Sequence, residues 1–401
     1  SVLAMEEKLT GGRLPDAELD AFAAASILQI NRSIGYPMNQ AVPELKNFYK
    51  WFSESGLDGK ILNNVSSPFS YSPIVNSKEF EIRVINYFAP LYGFDLNNMW
   101  GFVCANGTDA NNHGIYFGRK YLASKVPGVP VTAYVSKESH YSNARLCDLQ
   151  NLEVKILDTD KFGRMNPEAL REALDPSRSV LMIYSMGSTF MGAFDDLETL
   201  NKVVEEAKPP AVYSHVDAAL FGGYLPFTEH KDLVNSQKAH FDSIAVSGPK
   251  FFGVNMPCGI FITTRDVVDK QTAFTPNYLN GNMFMISCSR SAIAPLILYW
   301  LIKNVGEEGF RKDAEAILQN TAYLKSELDR IGWPAWVNDY SNTGFLRRPP
   351  KEIADKYVLA EGYLEEYGGE LSHVVVMPHV TKEVIDRFIE DLKAVSAKFS
   401  L

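Results

Sequence analysis

The chain reads as an α/β protein built on a mostly parallel sheet with helices on both faces. Two observations predict this. From Trp100 onward, short β-rich runs alternate with helical stretches, and 131–136, 152–157, 180–186, 211–217, 242–247 and 259–264 read as strands. The helices between them carry start and stop signals. Asn166-Pro167-Glu168 offers an N-cap followed by proline at the first helical position, and the stretch 197–207 ends before Pro209-Pro210.

Residues 1–60 read as helical and irregular, with a turn-rich Ile34-Gly35-Tyr36-Pro37 segment. The alternating region fills a large domain, 61–290. After Arg290 a helical region runs to about 331, then a shorter α/β piece holds a strand at 373–377 and an amphipathic helix at 382–399, making 291–401 a small C-terminal domain. The apolar run 292–302 contains Pro295 and stops at Lys303, so it reads as a buried helix and not a membrane span. Residues 1–16 lack a basic start followed by an apolar block, so no signal peptide is expected. The net charge of -9 argues against a nucleic-acid or anionic-membrane partner, since both need clustered Lys and Arg. The four cysteines lie far apart without a C-x-x-C, which predicts neither zinc site nor disulfide framework and fits a reducing cytoplasm.

The chemistry concentrates at strand ends. In Ala211-Val-Tyr-Ser-His-Val-Asp-Ala-Ala-Leu220, His215 and Asp217 share one face of a strand, because side chains alternate with period two. Asp217 closes that strand, where open α/β sheets bind ligands, and Ala218 and Ala219 leave room for something flat. The next strand ends in Ser247-Gly248-Pro249-Lys250. Taken singly, the two motifs read as a surface salt bridge and a loop lysine. Together they are the two poles a pyridoxal ring requires: a lysine for the imine, and a carboxylate that keeps the pyridine nitrogen protonated. Asn106-Gly107-Thr108-Asp109 opens a helical stretch, 110–123, and offers backbone N–H groups and a hydroxyl to an anion. Asp109 by itself suits the helix dipole. Ser139-His140-Tyr141-Ser142 marks another strand-to-helix junction, where an imidazole could cap the helix or lie flat on an aromatic cofactor.

These segments, in this order, resemble the group II pyridoxal-phosphate decarboxylases, in particular their histidine and serine decarboxylase branch. The resemblance spans nearly the whole chain, from Ile34-Gly35-Tyr36-Pro37 through Gly107-Thr108, His140-Tyr141-Ser142, His215-Val216-Asp217 and Ser247-Gly248-Pro249-Lys250. It continues through Pro257-Cys258-Gly259 and Ser289-Arg290 to His373-Val374-Val375. It implies fold type I, the aspartate-aminotransferase-like architecture with a seven-stranded central sheet, and a homodimer with shared active sites. The cofactor implied is pyridoxal 5'-phosphate, and the reaction is decarboxylation of an L-amino acid, histidine or serine foremost. Lys250 becomes the Schiff-base lysine, Asp217 the pyridine-nitrogen partner and His140 the stacking base. Gly107 and Thr108 hold the phosphate, with Asn106, Ser247 and His215 nearby. Ala219 packs under the ring and Thr189 sits near its polar edge. Tyr278 matches a loop tyrosine that delivers a proton, and Tyr36 and Asn39 are placed on the substrate side.

Two positions depart from the family pattern, and both touch phosphate anchoring. Pro249 stands where the family has a histidine, and the phosphate loop reads Asn106-Gly107-Thr108-Asp109. Rival readings keep Lys250 and Asp217. A transaminase or lyase would need an arginine for the substrate carboxylate, for which Arg347 and Arg348 are available. Oxidative deamination coupled to decarboxylation, or a non-catalytic cofactor-binding homologue, completes the set.

Overall fold

A computed structural model describes residues 16–271 and 283–396 of the 401-residue chain. Its central sheet has seven strands: β1 Met99–Cys104, β2 Val131–Ser136, β3 Glu153–Leu157, β4 Ser179–Ser185, β5 Val212–Asp217, β6 Ser243–Ser247 and β7 Gly259–Thr264. Their order across the sheet is β1-β7-β6-β5-β4-β2-β3. All neighbours run parallel except β7, which is antiparallel to both β6 and β1. The strands expected from the sequence are therefore present, with ends shifted by a residue or so at β3 to β6, and the edge strand β1 joins them.

The helices of seven residues or more are α1 Ala17–Ile30, α2 Glu44–Glu54, α3 Lys78–Leu91, α4 Gly107–Lys125, α5 Tyr141–Leu149, α6 Pro167–Ala173, α7 Leu197–Ala207, α8 Ile293–Asn304, α9 Gly306–Arg330 and α10 Lys382–Ser396. Asn166 caps α6 through its side chain, accepting from the Glu168 and Ala169 amides, with Pro167 in the first turn as the sequence suggested. The helical region after Arg290 is not continuous. It breaks at Val305, and the positive φ of Gly306 (69°), the first residue of α9, turns the chain between α8 and α9.

Every residue of β4 is buried, as expected for a sheet covered on both faces. Alternate residues divide between two cores: Val180, Met182 and Tyr184 pack on one side, Leu181 and Ile183 on the other. The second core includes an aromatic cluster of Trp100, Phe102, Phe117 and Phe261, roofed by α4. A second sheet, β8 Ala335–Val337, β9 Thr343–Arg347, β10 Ala360–Leu364 and β11 Gly369–Val375, is antiparallel throughout in the order β8-β9-β11-β10. The strand expected at 373–377 thus begins earlier and ends at Val375.

A short ribbon, Asn63–Val65 against Ser289–Ser291, is locked by a buried ion pair. Arg290 Nη2 meets Glu81 Oε1 at 2.7 Å, Arg290 Nη1 donates to the Ser66 carbonyl, and Glu81 Oε2 accepts from the Val103 amide. Both charges are fully paired, so removing either partner would strand the other in the core. This lock fixes α3 to β1 and so helps set the sheet edge from which the Asn106 turn springs.

Candidate active site

The loops leaving the C-terminal ends of β1, β2, β4, β5 and β6 meet around one cavity of about 480 Å³. Lys250, Asp217, His140, Asn106, Gly107, Thr108, Thr189, Ala219, Ser247 and Tyr36 all line it. The structure thus brings together most of the residues singled out from the sequence, at the strand ends where open sheets bind ligands.

Lys250 follows β6 through Ser247 and Gly248. Burial lowers its amine below the ordinary lysine value, against a smaller upward pull from Asp217. A larger share of neutral, nucleophilic amine at neutral pH is the consequence. Asp217, at the end of β5, is 8% exposed; its Oδ2 accepts from Asn143 Nδ2 at 3.0 Å and its Oδ1 from the Ala219 amide at 3.3 Å. His140 is the N-cap of α5, accepting the Ser142 amide on Nδ1 at 3.2 Å, with the Ser142 hydroxyl 2.6 Å away. Burial pushes this imidazole toward its neutral form, against Asp217 and with help from Lys250 and Arg145. Because Nδ1 is an acceptor, the ring proton sits on Nε2.

Asn106 caps α4. Its Oδ1 accepts from the Asp109 amide at 2.7 Å, while Asp109 Oδ2 reaches back to the Ala105 amide at 3.0 Å. That reciprocal cap leaves the amides of Gly107 and Thr108 without an acceptor among the described residues. Together with the Thr108 and Ser247 hydroxyls they form a set of anion donors at a helix N-terminus. Asp109 does more than suit the helix dipole: it also lies 3.3 Å from His113 Nδ1. Pro249 adds no donor here; its carbonyl accepts from the Asn39 amide at 3.4 Å.

Two expectations are corrected. His215 does not line the cavity. It shares a strand face with Asp217, but that face lies under α4, and only the strand's last residue reaches past the sheet edge. His215 Nε2 pairs with Asn111 Oδ1 at 2.8 Å and Nδ1 with Ser243 Oγ at 2.7 Å. A Cβ on Gly114 would come within 2.2 Å of the ring, so glycine is what lets α4 close over it. Asn39 is likewise absent from the cavity wall. It pins the chain after Lys250, with its amide on the Lys250 carbonyl at 3.0 Å and its Nδ2 on the Phe251 carbonyl at 2.8 Å. Tyr278 lies outside the described residues.

Other residues escaped the sequence reading. Asn143 and Asn111 contact Asp217 and His215 across 74 and 104 positions. Phe190 and His373 stack at 4.9 Å and 10° on the far wall, with His373 Nδ1 on the Phe190 carbonyl. Tyr36 reaches that wall because a Cβ on Gly35 would lie 2.1 Å from the Val358 carbonyl, so glycine alone allows the approach. In the sequence His373 stands only at the end of the family resemblance, with no local signal that places it in the site. Arg347 and Arg348 do not line the cavity, and Arg348 donates to the Leu371 and Gly362 carbonyls.

The burial of His215 has a measurable consequence. Its pKa falls from 6.5 to about 4, so between those values the unfolded chain binds the proton and the folded chain does not. Stability is therefore present above 6.5 and lost as pH falls toward 4, by roughly 3 kcal/mol from this residue. A His215→Gln variant is expected to show a flatter stability profile across that window in chemical denaturation. Asp242, raised to about 6 by burial, acts in the opposite direction but is common to both proteins. Parallel profiles would show that His215 does not titrate this way.

A half-buried lysine of lowered basicity, a carboxylate at the neighbouring strand end, a neutral imidazole and unpaired helix amides fit pyridoxal phosphate, and with this sheet order they define a fold type I pyridoxal-phosphate enzyme. L-Methionine decarboxylase from Streptomyces sp. 590 has the same fold: TM-score 0.80, 21% identity, covering 96% of each chain. Residues 108–332 match the family model described as the pyridoxal-dependent decarboxylase conserved domain, and the chain belongs to that family. It is 33% identical to a histidine decarboxylase of Solanum lycopersicum over 82% of this chain and 78% of the relative. It is 31% identical to serine decarboxylase 1 of Oryza sativa subsp. japonica over 92% and 75%. These relatives place it in the histidine and serine decarboxylase branch, as an enzyme that removes carbon dioxide from an amino acid.

Proposed function

We propose that this chain is a cytoplasmic, homodimeric decarboxylase of a small polar L-amino acid, with histidine and serine the first substrates to test. The observation that carries the reading is the meeting of Lys250, Asp217, His140 and the Gly107 and Thr108 amides around one cavity. Bound pyridoxal phosphate supplies an electron sink for the charge left on the α-carbon when carbon dioxide departs.

The chain's own residues divide the remaining work. Lys250 supplies the amine that holds the cofactor covalently. With the cofactor bound, Asp217 would hold a proton on its ring nitrogen, and a neutral His140 would face it without adding a second positive charge. Gly107, Thr108, Asn106 and Ser247 would hold the phosphate, and Ala219 and Thr189, which also line the cavity, would leave room for the ring and offer it a polar contact. Tyr36 and the Phe190–His373 stack narrow the far side and help exclude water.

Tyr36, Thr189, Glu361 and His373 put polar groups on an otherwise largely apolar wall, and the relatives named above are histidine and serine decarboxylases by name. The four cysteines form no disulfide, which suits a reducing compartment. No described helix is long and apolar enough to cross a membrane. For the dimer, α1 buries no residue of its own chain, and Leu19, Phe22, Ile27 and Leu28 are each at least 58% exposed. A second copy is the cover that shared active sites require.

The test is to incubate pure protein and pyridoxal phosphate with each standard amino acid and measure amine, carbon dioxide, aldehyde and oxygen uptake. Equal amine and carbon dioxide from histidine or serine is the expected result. Oxo-acid formed without carbon dioxide would favour transamination, and aldehyde with oxygen consumption would favour the oxidative reaction. Light scattering is expected to give twice the 44.8 kDa chain mass.

A further inference from the structure

Asn143 lies in the first turn of α5, three residues after His140, and is completely buried. Its amide nitrogen uses both hydrogens, one toward Ser139 Oγ at 2.9 Å and one toward Asp217 Oδ2 at 3.0 Å. Its own oxygen, Oδ1, is buried without a partner among the described residues. An unpaired buried carbonyl costs stability, and a leucine of similar volume would fill the space without that cost. Turning the amide over would set Oδ1 against the carboxylate, acceptor facing acceptor. The nitrogen must therefore face Asp217, and the orphaned oxygen follows from that choice. The other Asp217 oxygen accepts from the Ala219 amide at the longer distance of 3.3 Å.

We propose that Asn143 is a positioning residue that holds the Asp217 carboxylate in the orientation facing the cofactor's ring nitrogen. The first turn of α5 then governs two sides of the ring, its face through His140 and its nitrogen edge through Asn143 and Asp217. The inference rests on Asp217 being the ring-nitrogen partner.

Two variants separate a donor role from a packing role. Asn143→Leu removes the donor and keeps the volume; Asn143→Asp keeps the shape and sets an acceptor against Asp217. Pyridoxal phosphate is titrated into each apo-protein by fluorescence, with the absorbance spectrum of the loaded protein, kcat, KM and the apo melting temperature recorded. A donor role gives cofactor binding weaker by about tenfold for Asn143→Leu and by more for Asn143→Asp. It also shifts the absorbance band of the bound cofactor, lowers kcat with little change in KM, and leaves apo Asn143→Leu at least as stable as wild type. The reverse order, with Asn143→Asp the milder change and apo Asn143→Leu destabilised, would mean packing and overturn the proposal. Wild-type affinity and spectrum in both variants would overturn it as well. Asp217→Asn, measured alongside, separates the two levels: if it too leaves affinity and spectrum unchanged, the role of Asp217 itself fails. If it alters them while the Asn143 variants do not, only the role of Asn143 fails.

Discussion

Lys250→Ala is expected to abolish turnover, by roughly 10⁴-fold or more, about 5.5 kcal/mol of transition-state stabilisation. It is also expected to leave pyridoxal phosphate bound only reversibly. Borohydride treatment of the wild type fixes the cofactor on the peptide that contains Lys250; the variant retains none after dialysis. A competing lysine exists in principle. Lys78 is also lowered, to about 8, by burial with help from Arg290. Its Nζ, however, donates to the Ser67 carbonyl at 2.9 Å and the Ser70 carbonyl at 3.1 Å, and Lys78 does not line the cavity. A lowered pKa marks both lysines, and position in the fold distinguishes them. The apo form of Lys250→Ala is expected to melt within a few degrees of wild type, because the change removes a half-buried side chain that lines the cavity and no ion pair. Label on any other lysine, or residual turnover within tenfold of wild type, would remove Lys250 from its assigned place.

What the sequence revealed of this site is what depends on local rules. A residue that ends a strand in an α/β sheet sits at the ligand edge, and Asp217, Lys250 and the Asn106 turn are all of that kind. His140 was legible as a helix cap, and its position in the cavity agrees with the family resemblance. The same period-two rule that pairs His215 with Asp217 failed as a guide to function. Facing the same way does not mean reaching the same space: two residues back from the edge, at His215, the face is already roofed by α4 at Gly114. Asn39 was placed near the substrate because its neighbour Tyr36 is there, yet its side chain turns to the Phe251 carbonyl, 212 positions away. The Phe190–His373 stack and the Asn143 contact depend on chain separations that no local pattern encodes. In the fold, the alternation located the strands, while the antiparallel turn of β7 and the break before Gly306 needed tertiary contacts and a positive φ to become visible.

Asp217→Asn is expected to fold normally and lose about 10³-fold or more in kcat, about 4 kcal/mol. The argument is electrostatic. The reaction leaves negative charge on the α-carbon, and that charge is delocalised only as far as the ring can accept it. A carboxylate beside the ring nitrogen keeps a proton there, whereas an amide cannot hold it by charge. The cost is greatest in a site such as this, where Asp217 is 8% exposed and little water is present to screen the lost interaction. The substitution preserves shape, and the single asparagine oxygen keeps one of the two acceptances, from Asn143 Nδ2 or from the Ala219 amide, so the variant's melting temperature is expected to fall by no more than a few degrees. Cofactor capture by Lys250 is also expected to survive, because that step needs the amine and not the ring nitrogen. Lys250→Ala and Asp217→Asn therefore fail differently. The first loses the covalent cofactor; the second keeps it, with an altered absorbance spectrum and little chemistry. A kcat within tenfold of wild type for Asp217→Asn, with an unchanged spectrum, would assign Asp217 to the framework of β5 and require another source for the ring proton.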